Sequence, residues 1–283
     1  MKTVNIGGVP EHFNLPWYLT LKNGEYKAEG INLRWKDYFG GTGQMSQALR
    51  DGDIDIAVIL TEGIIKDIIA GNPSKIVQTY ISSSLIWGIH VAQNSSYLSN
   101  EDIRGKKAAI SRYGSGSHLM AYINAQNSSW NLEKDLDFKI VKNLEGAVES
   151  LTNGSSDYFM WEKFTTKPLV DNNTFRKIGE CPSPWPCFVI AAREDFIKNN
   201  NDALQTILKI INATTKEFKD IPSIDLTIAN RYKQKLEDVN EWLRLTEWSQ
   251  ELILKETVNN VQEQLFNLDI IPEIWDYNKL VIM

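Results

Sequence analysis

The chain has 283 residues, which is enough for about two domains of ordinary size. Hydrophobic residues make up 42% of it, as in globular proteins with real cores, and no stretch approaches the roughly 20 apolar residues that span a bilayer. The net charge of −6, with no basic run denser than Arg104–Lys107, argues against nucleic-acid binding.

The first part of the chain alternates short apolar strands with segments of helical periodicity. Ile54–Leu60 is a continuous apolar run of the kind buried in a parallel sheet, and Ile31–Tyr38 alternates apolar and polar residues. Between them the stretch GGTGQMSQALRDG predicts a helix with Thr42 as its N-cap and Gly52 at its end. With further strands at TVNIGGV and KIVQTYIS, the order β-α-β-α-β predicts an open α/β sheet.

The same pattern restarts near residue 90, with strands predicted at KKAAIS and DFKIVKN and helices after YGSGS and in LEGAVESL. We therefore expect two α/β lobes, residues 1–88 with 190–283 and residues 89–189, joined by two crossover segments. The C-terminal part is predicted to be helical, with two apolar stripes that face the core. The stripes are Leu204, Ile207, Leu208 and Ile211, and Leu254, Val258, Val261, Leu265 and Leu268.

Five stretches follow one another in the order found in a known family. They are VNIGGVPEHFNLPWYLTLKNGEYKAEGINLRW, GGTGQMSQALRDGDIDIAVI, LSNEDIRGKKAAISRYGSGSHLMAYI, LEGAVESLTNGSSDYFMWEKF and CFVIAAREDFIKNN. In them the chain resembles the type II periplasmic-binding-protein-like family, which includes sulfonate-, nitrate- and thiamine-pyrimidine precursor-binding proteins. The resemblance implies a two-lobed fold with a ligand cleft between the lobes, at the loops that leave the carboxyl ends of the strands, and hinge closure on binding.

Two glycine-rich loops would place helix N-termini at that cleft. Gly41 and Thr42 lie in the first loop, and Ser115, Gly116 and Ser117 lie in the second. Free backbone N–H groups and the positive end of a helix dipole favour an anion or a polar ligand edge there. The alternatives are that the first loop is a simple tight turn and that Ser115 or Ser117 caps its own helix.

The other predicted cleft loops add side chains of three kinds. The tryptophans would stack on a flat or cationic ring or else pack in the cores; they are Trp17, Trp87, Trp161 and Trp185. Thr61 and Ser83 add hydroxyls. Glu62 and Glu162 would accept a ring N–H or select against simple anions.

Three histidines and two cysteines complete the candidates for chemistry. His12 and His118 fall in opposite lobes and, with a carboxylate, are candidates for acid–base catalysis, whereas His90 follows a strand and is read as structural. Cys181 and Cys187 are expected to be reduced, buried thiols, with a disulfide as the alternative. No pair of these residues has a metal-ligand spacing, so no metal site is expected.

The sequence therefore predicts a protein that binds a small polar, anionic or heteroaromatic metabolite, without a cofactor. Two alternatives are an enzyme of the thiamine-pyrimidine or menaquinone-pathway type and the substrate-binding protein of an ABC transporter. The strand-like start MKTVNIGGVP shows no signal-peptide pattern, so we expect a cytoplasmic, intracellular and fungal member of the family without a transporter partner. Removal of a signal peptide would instead make it periplasmic.

Overall fold

The computed structural model describes residues 1–282, which form two compact units. Unit 1 contains Met1–Ser83 and the chain from Trp185 onward, and unit 2 contains Ser84–Pro184. The chain therefore crosses between the units twice, at 83/84 and 184/185. Each crossing lies five residues before the boundary expected from the sequence, at 88/89 and 189/190.

The amino-terminal part of unit 1 contains four strands, with helices after each of the first three. The elements are β1 Lys2–Gly8, α1 Leu15–Asn23, α2 Glu25–Ala28, β2 Ile31–Asp37, α3 Gly41–Asp51, β3 Ile56–Leu60, α4 Thr61–Ile69 and β4 Ser74–Ile81. A 3-10 turn over His12–Asn14 precedes α1. Gly52 ends α3 with a left-handed φ of 76°, which glycine adopts without strain, so the predicted helix end is confirmed.

Unit 2 is a shorter alternation of strands and helices. Its elements are β5 Ile86–Ala92, β6 Lys107–Ile110, α5 Gly116–Asn127, β7 Asp137–Ile140, α6 Leu144–Thr152, β8 Tyr158–Glu162, α7 Lys167–Asp171 and β9 Phe175–Pro182. Asn143 caps α6 by accepting the backbone N–H of Gly146 at 2.9 Å, so this helix begins where a short polar side chain satisfies a free donor.

The returning chain adds one strand and five helices to unit 1. These are β10 Phe188–Arg193, α8 Glu194–Glu217, α9 Ile224–Tyr232, α10 Leu236–Leu245, α11 Lys255–Asn267 and α12 Tyr277–Leu280. All four residues of the stripe on α8 are buried, as predicted. The second stripe is only partly correct, because Leu254 precedes the first turn of α11 and is 69% exposed. In residues 1–282 no helix combines the length and apolar character needed to cross a membrane.

Each unit is built around one five-stranded sheet, and both sheets have the same pattern. The strand order is β2-β1-β3-β10-β4 in unit 1 and β7-β6-β8-β5-β9 in unit 2. The fourth strand runs antiparallel to both of its neighbours, while the first three strands are parallel. Since β5 and β10 are the first strands after the two crossings, each crossing delivers the antiparallel strand of the sheet that it enters.

Candidate functional site

The sheet of unit 1 brings several loops to one edge. Gly8 lies opposite Asp37 in the parallel pair β1–β2, and Phe188 at the start of antiparallel β10 lies opposite both Leu60 and Ile81. The loops after β1, β2, β3 and β4 and the segment that enters β10 therefore meet at the carboxyl ends of the parallel strands. We call this set the carboxyl edge of unit 1; it contains residues 9–14, 38–43, 61–63, 82–83 and 185–187.

Helix α3 starts at this edge, but not with the predicted cap. Its N-cap is Gly40, whose backbone N–H donates to Oε1 of Gln44 at 3.0 Å, and Thr42 is already inside the helix. A Cβ added to Gly63 would lie 2.2 Å from Cγ2 of Thr42, so glycine there lets the first turns of α3 and α4 pack closely. The prediction that Thr42 caps α3 is wrong, because its methyl group packs against α4. Gly41, next to it, has a left-handed φ of 63°.

The first turn of α4 holds the segment that enters unit 1. The backbone N–H of Thr61 donates to the carbonyl of Cys187 at 3.0 Å, and the Thr61 hydroxyl donates to the carbonyl of Pro186 at 2.6 Å. The indole N–H of Trp185 donates to Oε2 of the buried Glu62 at 2.9 Å. Burial raises the pKa of Glu62 to about 7, against the opposing effect of this hydrogen bond.

His12 lies in an aromatic cluster in the interior of unit 1. It is 1% exposed, and its ring centroid lies 4.9 Å from that of Phe13, 5.8 Å from Tyr232 and 4.4 Å from Trp242. Burial lowers the pKa of His12 to about 3, so the imidazole is neutral at ordinary pH. The residue that the sequence offered as an acid–base candidate thus packs between the first loop and the C-terminal helices.

Trp17 is likewise a core residue in the structure. It lies inside α1, is fully buried, and contacts the rings of Tyr26, Trp35 and Tyr80 at centroid distances of 6.3, 5.9 and 6.2 Å. Of the alternatives that the sequence left for this tryptophan, the structure shows core packing.

Asn14 is a polar residue of this edge that the sequence analysis missed. It is fully buried, and its Nδ2 donates to the carbonyl of Val9 at 2.9 Å, while its Oδ1 has no hydrogen-bond partner among residues 1–282. The signal was present, since Asn14 stands directly before a helix that carries proline in its first turn.

A second missed group is a hydrogen-bonded network at the end of β2. The hydroxyl of Tyr18 and the indole N–H of Trp35 both donate to Oδ1 of Asp37, the latter at 2.8 Å. The guanidinium of Arg231, on α9, lies 4.2 Å from the centroid of the Tyr18 ring. This network fastens α1 to the end of β2 and places a cation next to it.

Unit 2 has a corresponding edge. Ile110 lies opposite Ile140 in the parallel pair β6–β7, and Trp87 near the start of antiparallel β5 lies opposite Glu162 and Cys181. The start of α5 and the turn after β8 therefore lie at the same edge as the beginning of β5. We call residues 84–87, 111–118, 141–143, 162–166 and 182–184 the carboxyl edge of unit 2.

The start of α5 shows how its two serines are used. Ser115 is the N-cap, with Oγ accepting the backbone N–H of His118 at 3.3 Å and lying 3.1 Å from Oγ of Ser117. Oγ of Ser117 also accepts the backbone N–H of Ser111 at 3.0 Å. The capping alternative is therefore observed for Ser115, while the backbone N–H groups of Gly116 and Ser117, at the first two positions of α5, have no partner within the helix.

His118 is buried in the same loop among three aromatic rings. Its Nδ1 accepts the backbone N–H of Gly114 at 3.0 Å. Its ring centroid lies 5.3 Å from Tyr113, 5.0 Å from Tyr122 and 4.6 Å from Phe138. The imidazole therefore braces the loop that precedes α5.

Trp87 and Trp161 contact each other at this edge, with ring centroids 6.4 Å apart in an edge-to-face arrangement. Trp161 is half-buried and stacks on Phe159 at 5.2 Å. Trp87 is 4% exposed, and its Nε1 has no hydrogen-bond partner within the described part of the chain. The buried indole N–H groups of Trp17, Trp242 and Trp248 also lack a partner among residues 1–282, but these three lie in unit 1, whereas Trp87 lies at the edge where α5 begins.

Glu162 and His90 have internal partners in unit 2. The buried carboxylate of Glu162 accepts the backbone N–H groups of Phe164 and Thr165, at 3.1 and 2.6 Å, and the Thr165 hydroxyl at 2.7 Å. Burial raises its pKa, and these hydrogen bonds oppose the shift. Nε2 of His90 lies 2.9 Å from the Thr166 hydroxyl, and burial lowers the pKa of His90 to about 4, in keeping with a structural role.

The crossing segments contain Ser83 and the two cysteines. The Ser83 carbonyl accepts the backbone N–H of Cys187 at 3.2 Å, and its hydroxyl accepts the backbone N–H of Glu247 at 3.1 Å. Cys181 and Cys187 are buried thiols that form no disulfide, and burial raises the pKa of Cys181 to about 11. Across residues 1–282, no group of three or more His, Cys, Asp or Glu side chains could hold a metal ion.

The topology thus assembles most predicted site residues into two groups. Unit 1 collects Gly41, Thr42, Thr61, Glu62, Ser83 and Trp185 at its carboxyl edge, and unit 2 collects Trp87, Ser115, Gly116, Ser117, His118, Trp161 and Glu162. His12, although it belongs to the loop after β1, and Trp17, inside α1, have their side chains enclosed in the aromatic interior of unit 1. A ligand-binding role of these residues stays a prediction.

Known proteins support the fold of the chain. Residues 87–181 match the family model described as Ca3427-like PBP. The Candida albicans CA3427 gene product, described as exhibiting the generic periplasmic binding protein fold, is 25% identical, with a TM-score of 0.90 over 99% of this chain and 96% of that chain. No curated protein matches the sequence significantly.

Two further solved structures share the fold at low identity. The alkanesulfonate-binding protein SsuA of Xanthomonas axonopodis pv. citri, bound to MOPS, is 14% identical, with a TM-score of 0.82 over 100% of this chain and 96% of that chain. The nitrate-binding protein NrtA of Synechocystis PCC 6803 is 14% identical, with a TM-score of 0.75 over 100% of this chain and 86% of that chain. The resemblance drawn from the sequence is therefore confirmed: the chain has the periplasmic-binding-protein fold.

Proposed function

We propose that this chain, which has the periplasmic-binding-protein fold, binds a small polar metabolite with an anionic group. In unit 2 the anionic group would be bound by the first N–H groups of α5 and by the indole N–H of Trp87. Two proteins of the same fold are described as binding alkanesulfonate and nitrate, which are both anions. These relatives support the class of ligand and not its identity.

The unpartnered N–H of Trp87 carries this proposal. A buried donor without an acceptor costs about 1–3 kcal/mol, so such donors are rare unless a ligand or water satisfies them. This one lies at the edge where α5 begins, and helix N-termini favour anions through their free N–H groups and dipole. An acceptor atom of the ligand would accept a hydrogen bond from the indole N–H, and the positive electrostatic potential at the N-terminus of α5 would stabilise its negative charge.

The surroundings of the histidines favour binding over acid–base catalysis. His12 is enclosed by aromatic rings and held neutral, and Nδ1 of His118 accepts a backbone N–H in its own loop. A general base must reach the proton that it removes, and these two imidazoles serve packing and loop geometry.

The proposal is tested by isothermal titration of the full chain with ethanesulfonate and with nitrate. Trp87→Phe keeps the ring but removes the N–H, so affinity should fall by about tenfold, as expected for a lost hydrogen bond to a charged group. Trp130→Phe is the matched control, because Trp130 is also buried in unit 2 but follows the C-terminus of α5. Equal loss in both variants, or none in Trp87→Phe, would contradict the assignment of this donor.

The interlobe cleft, its hinge closure, the cytoplasmic location and the absence of a transporter partner stay predictions, and the same fold also serves proteins described as ligand-binding components of import systems.

A further inference from the structure

Lys142, in the loop after β7, has a backbone conformation that lysine rarely adopts. Its φ is 71°, and the backbone N–H of Asn143 donates to the carbonyl of Val141 at 2.9 Å. A hydrogen bond between residues two apart, around a central residue with this φ, is the pattern of the γ-turn that is rare and strained. Glycine at this position would avoid the strain, because it has no Cβ to clash with the following carbonyl.

Neighbouring groups hold this turn in place on both sides. The backbone N–H of Lys142 donates to the carbonyl of Ser111, in the loop before α5, at 3.2 Å. On the other side, a Cβ added to Gly146 would lie 2.0 Å from the carbonyl oxygen of Val141, so the first turn of α6 packs directly against the turn. Strain that the surrounding structure maintains in this way is concentrated at functional sites in proteins.

The strained turn is connected to the start of α5. Ser111, which accepts the N–H of Lys142, donates its own backbone N–H to Oγ of Ser117 at 3.0 Å. Two hydrogen bonds therefore link the backbone of Lys142 to the first turn of α5, where the proposed function places the anionic group. The flexible four-carbon stem of lysine allows its ammonium group to reach toward that turn.

The charges of this part of unit 2 favour an anion. In a chain with a net charge of −6, the carboxyl edge of unit 2 contains three basic residues and one acidic residue. They are Arg112, Lys142, Lys163 and Glu162. Lys163 pairs with Glu180 at 3.1 Å, whereas Lys142 is exposed and forms no ion pair with an acidic side chain of residues 1–282. The charge of Lys142 is therefore not neutralised by a neighbour in an ion pair.

We infer that Lys142 binds the anionic group of the ligand in unit 2, together with the first N–H groups of α5 and the indole N–H of Trp87. This inference rests on the proposed function and adds a charged residue to that site. An ammonium group has three N–H donors and no acceptor, which suits the oxygen atoms of an anion. The role in binding also accounts for lysine, and not glycine, in the strained turn.

Replacing Lys142 with glycine should change affinity and stability in opposite directions. Lys142→Gly relieves the strain, so the Tm should rise by about 1–4 °C. The loss of the ammonium group should weaken the binding of ethanesulfonate by about tenfold, as expected for a hydrogen bond between charged groups. Lys142→Met keeps the strained turn and most of the stem, so it should lose the same affinity without the rise in Tm. Isothermal titration and thermal unfolding of the full chain measure both quantities.

Lys233→Gly is the matched control for these variants. Lys233 also has a left-handed φ, of 54°, but it follows the last turn of α9 in unit 1. The variant removes the same charge and relieves a similar strain, so its Tm should also rise. Its affinity for ethanesulfonate should stay within about twofold of the wild type, because distant exposed charges are screened by salt.

The outcomes separate this inference from the proposed function. If Lys142→Gly binds ethanesulfonate as tightly as the wild type while Trp87→Phe binds it less tightly, the role of Lys142 is overturned and the proposed function stands. An equal loss of affinity in Lys142→Gly and Lys233→Gly would also overturn that role, because net charge alone would explain the effect. Absence of binding of both ethanesulfonate and nitrate to the wild type at millimolar concentration would overturn both proposals.

Discussion

The indole N–H of Trp185 donates to Oε2 of Glu62 at 2.9 Å, and both side chains are buried. Trp185 is the first residue of the returning chain in unit 1, and Glu62 lies in the first turn of α4. Together with the two hydrogen bonds from Thr61, this contact fixes the returning chain at the carboxyl edge of unit 1. A carboxyl group that titrates near neutral pH therefore holds the segment that crosses between the units.

Replacing Glu62 should change the pH dependence of stability. The pKa of Glu62 is raised from 4.5 to about 7 in the folded chain, so its protonated form favours folding below pH 4.5, and this contribution is lost as pH rises through about 7. Glu62→Gln cannot ionise at this position. Its free energy of unfolding should therefore rise relative to that of the wild type as pH increases across this window, by up to about 3 kcal/mol at about 1.4 kcal/mol per pH unit. Urea unfolding from pH 4.5 to 8 measures this difference.

The control for that series is Glu29→Gln, which removes the same charge at an exposed position. A constant difference between wild type and Glu62→Gln across the whole pH range would show that Glu62 is not the group that titrates.

Removing the donor to Glu62 should destabilise the protein most at high pH. Trp185→Phe keeps an aromatic ring but leaves the carboxylate without the indole N–H, at an expected cost of about 1–3 kcal/mol at pH 8. At pH 5 the carboxyl is mostly protonated and the cost should be smaller. In the double variant with Glu62→Gln the pH dependence of this cost should disappear; a cost that is equal at both pH values would reflect lost packing alone.

Because Gly63 lies against Thr42, replacing this glycine with alanine should lower the stability of the protein instead of raising it. In an exposed helix interior, Gly→Ala normally stabilises by about 0.5–1 kcal/mol. Here the new Cβ would meet Cγ2 of Thr42 at 2.2 Å, so Gly63→Ala should destabilise by about 1–3 kcal/mol. Thr42→Ser removes that methyl and should restore most of the loss, as thermal unfolding of the two single variants and the double variant will show; no rescue would mean that the two helix starts are not in contact.

Because Ser115 caps α5, removing its hydroxyl should cause a modest loss of stability. Ser115→Ala removes the acceptor of the His118 N–H and should cost about 1 kcal/mol, whereas Ser115→Thr retains a capping hydroxyl and should cost less. Urea unfolding of the three proteins tests this order. Identical stability of the alanine variant and the wild type would mean that the hydroxyl does not cap the helix.

Local features of the fold could be predicted from the sequence because they depend on neighbouring residues. Gly52 ends α3 since it adopts a left-handed φ, and the apolar run around Ile56–Leu60 forms a buried parallel strand. The antiparallel insertion of β10 between β3 and β4 was not predicted, because it depends on pairing across more than 100 residues of chain. Hydrophobic periodicity alone predicts that a segment is a strand, but not whether the strand runs parallel or antiparallel to its neighbours.

The candidate site was only partly predictable for a similar reason. Ser115 and Ser117 give the same sequence signal whether they bind a ligand or stabilise the start of α5, and the structure shows the second use. The loop position of His12 predicts a cleft residue, but Tyr232 and Trp242, from the C-terminal helices, enclose it. The partners that decide such cases come from distant parts of the chain.

The central claim is that this protein binds a small anionic metabolite, and a thermal-shift screen tests it most directly. The panel contains alkanesulfonates, nitrate, bicarbonate, thiamine and its pyrimidine, pyridoxal phosphate and polyamines. A ligand at 100 times its dissociation constant adds about 2.7 kcal/mol of stability, and each kcal/mol raises the Tm of a protein near this size by roughly 2–4 °C. The account predicts such a rise for at least one anionic compound and none for the polyamines. A cooperative melt with no anion-dependent shift, or a shift with polyamines alone, would contradict it.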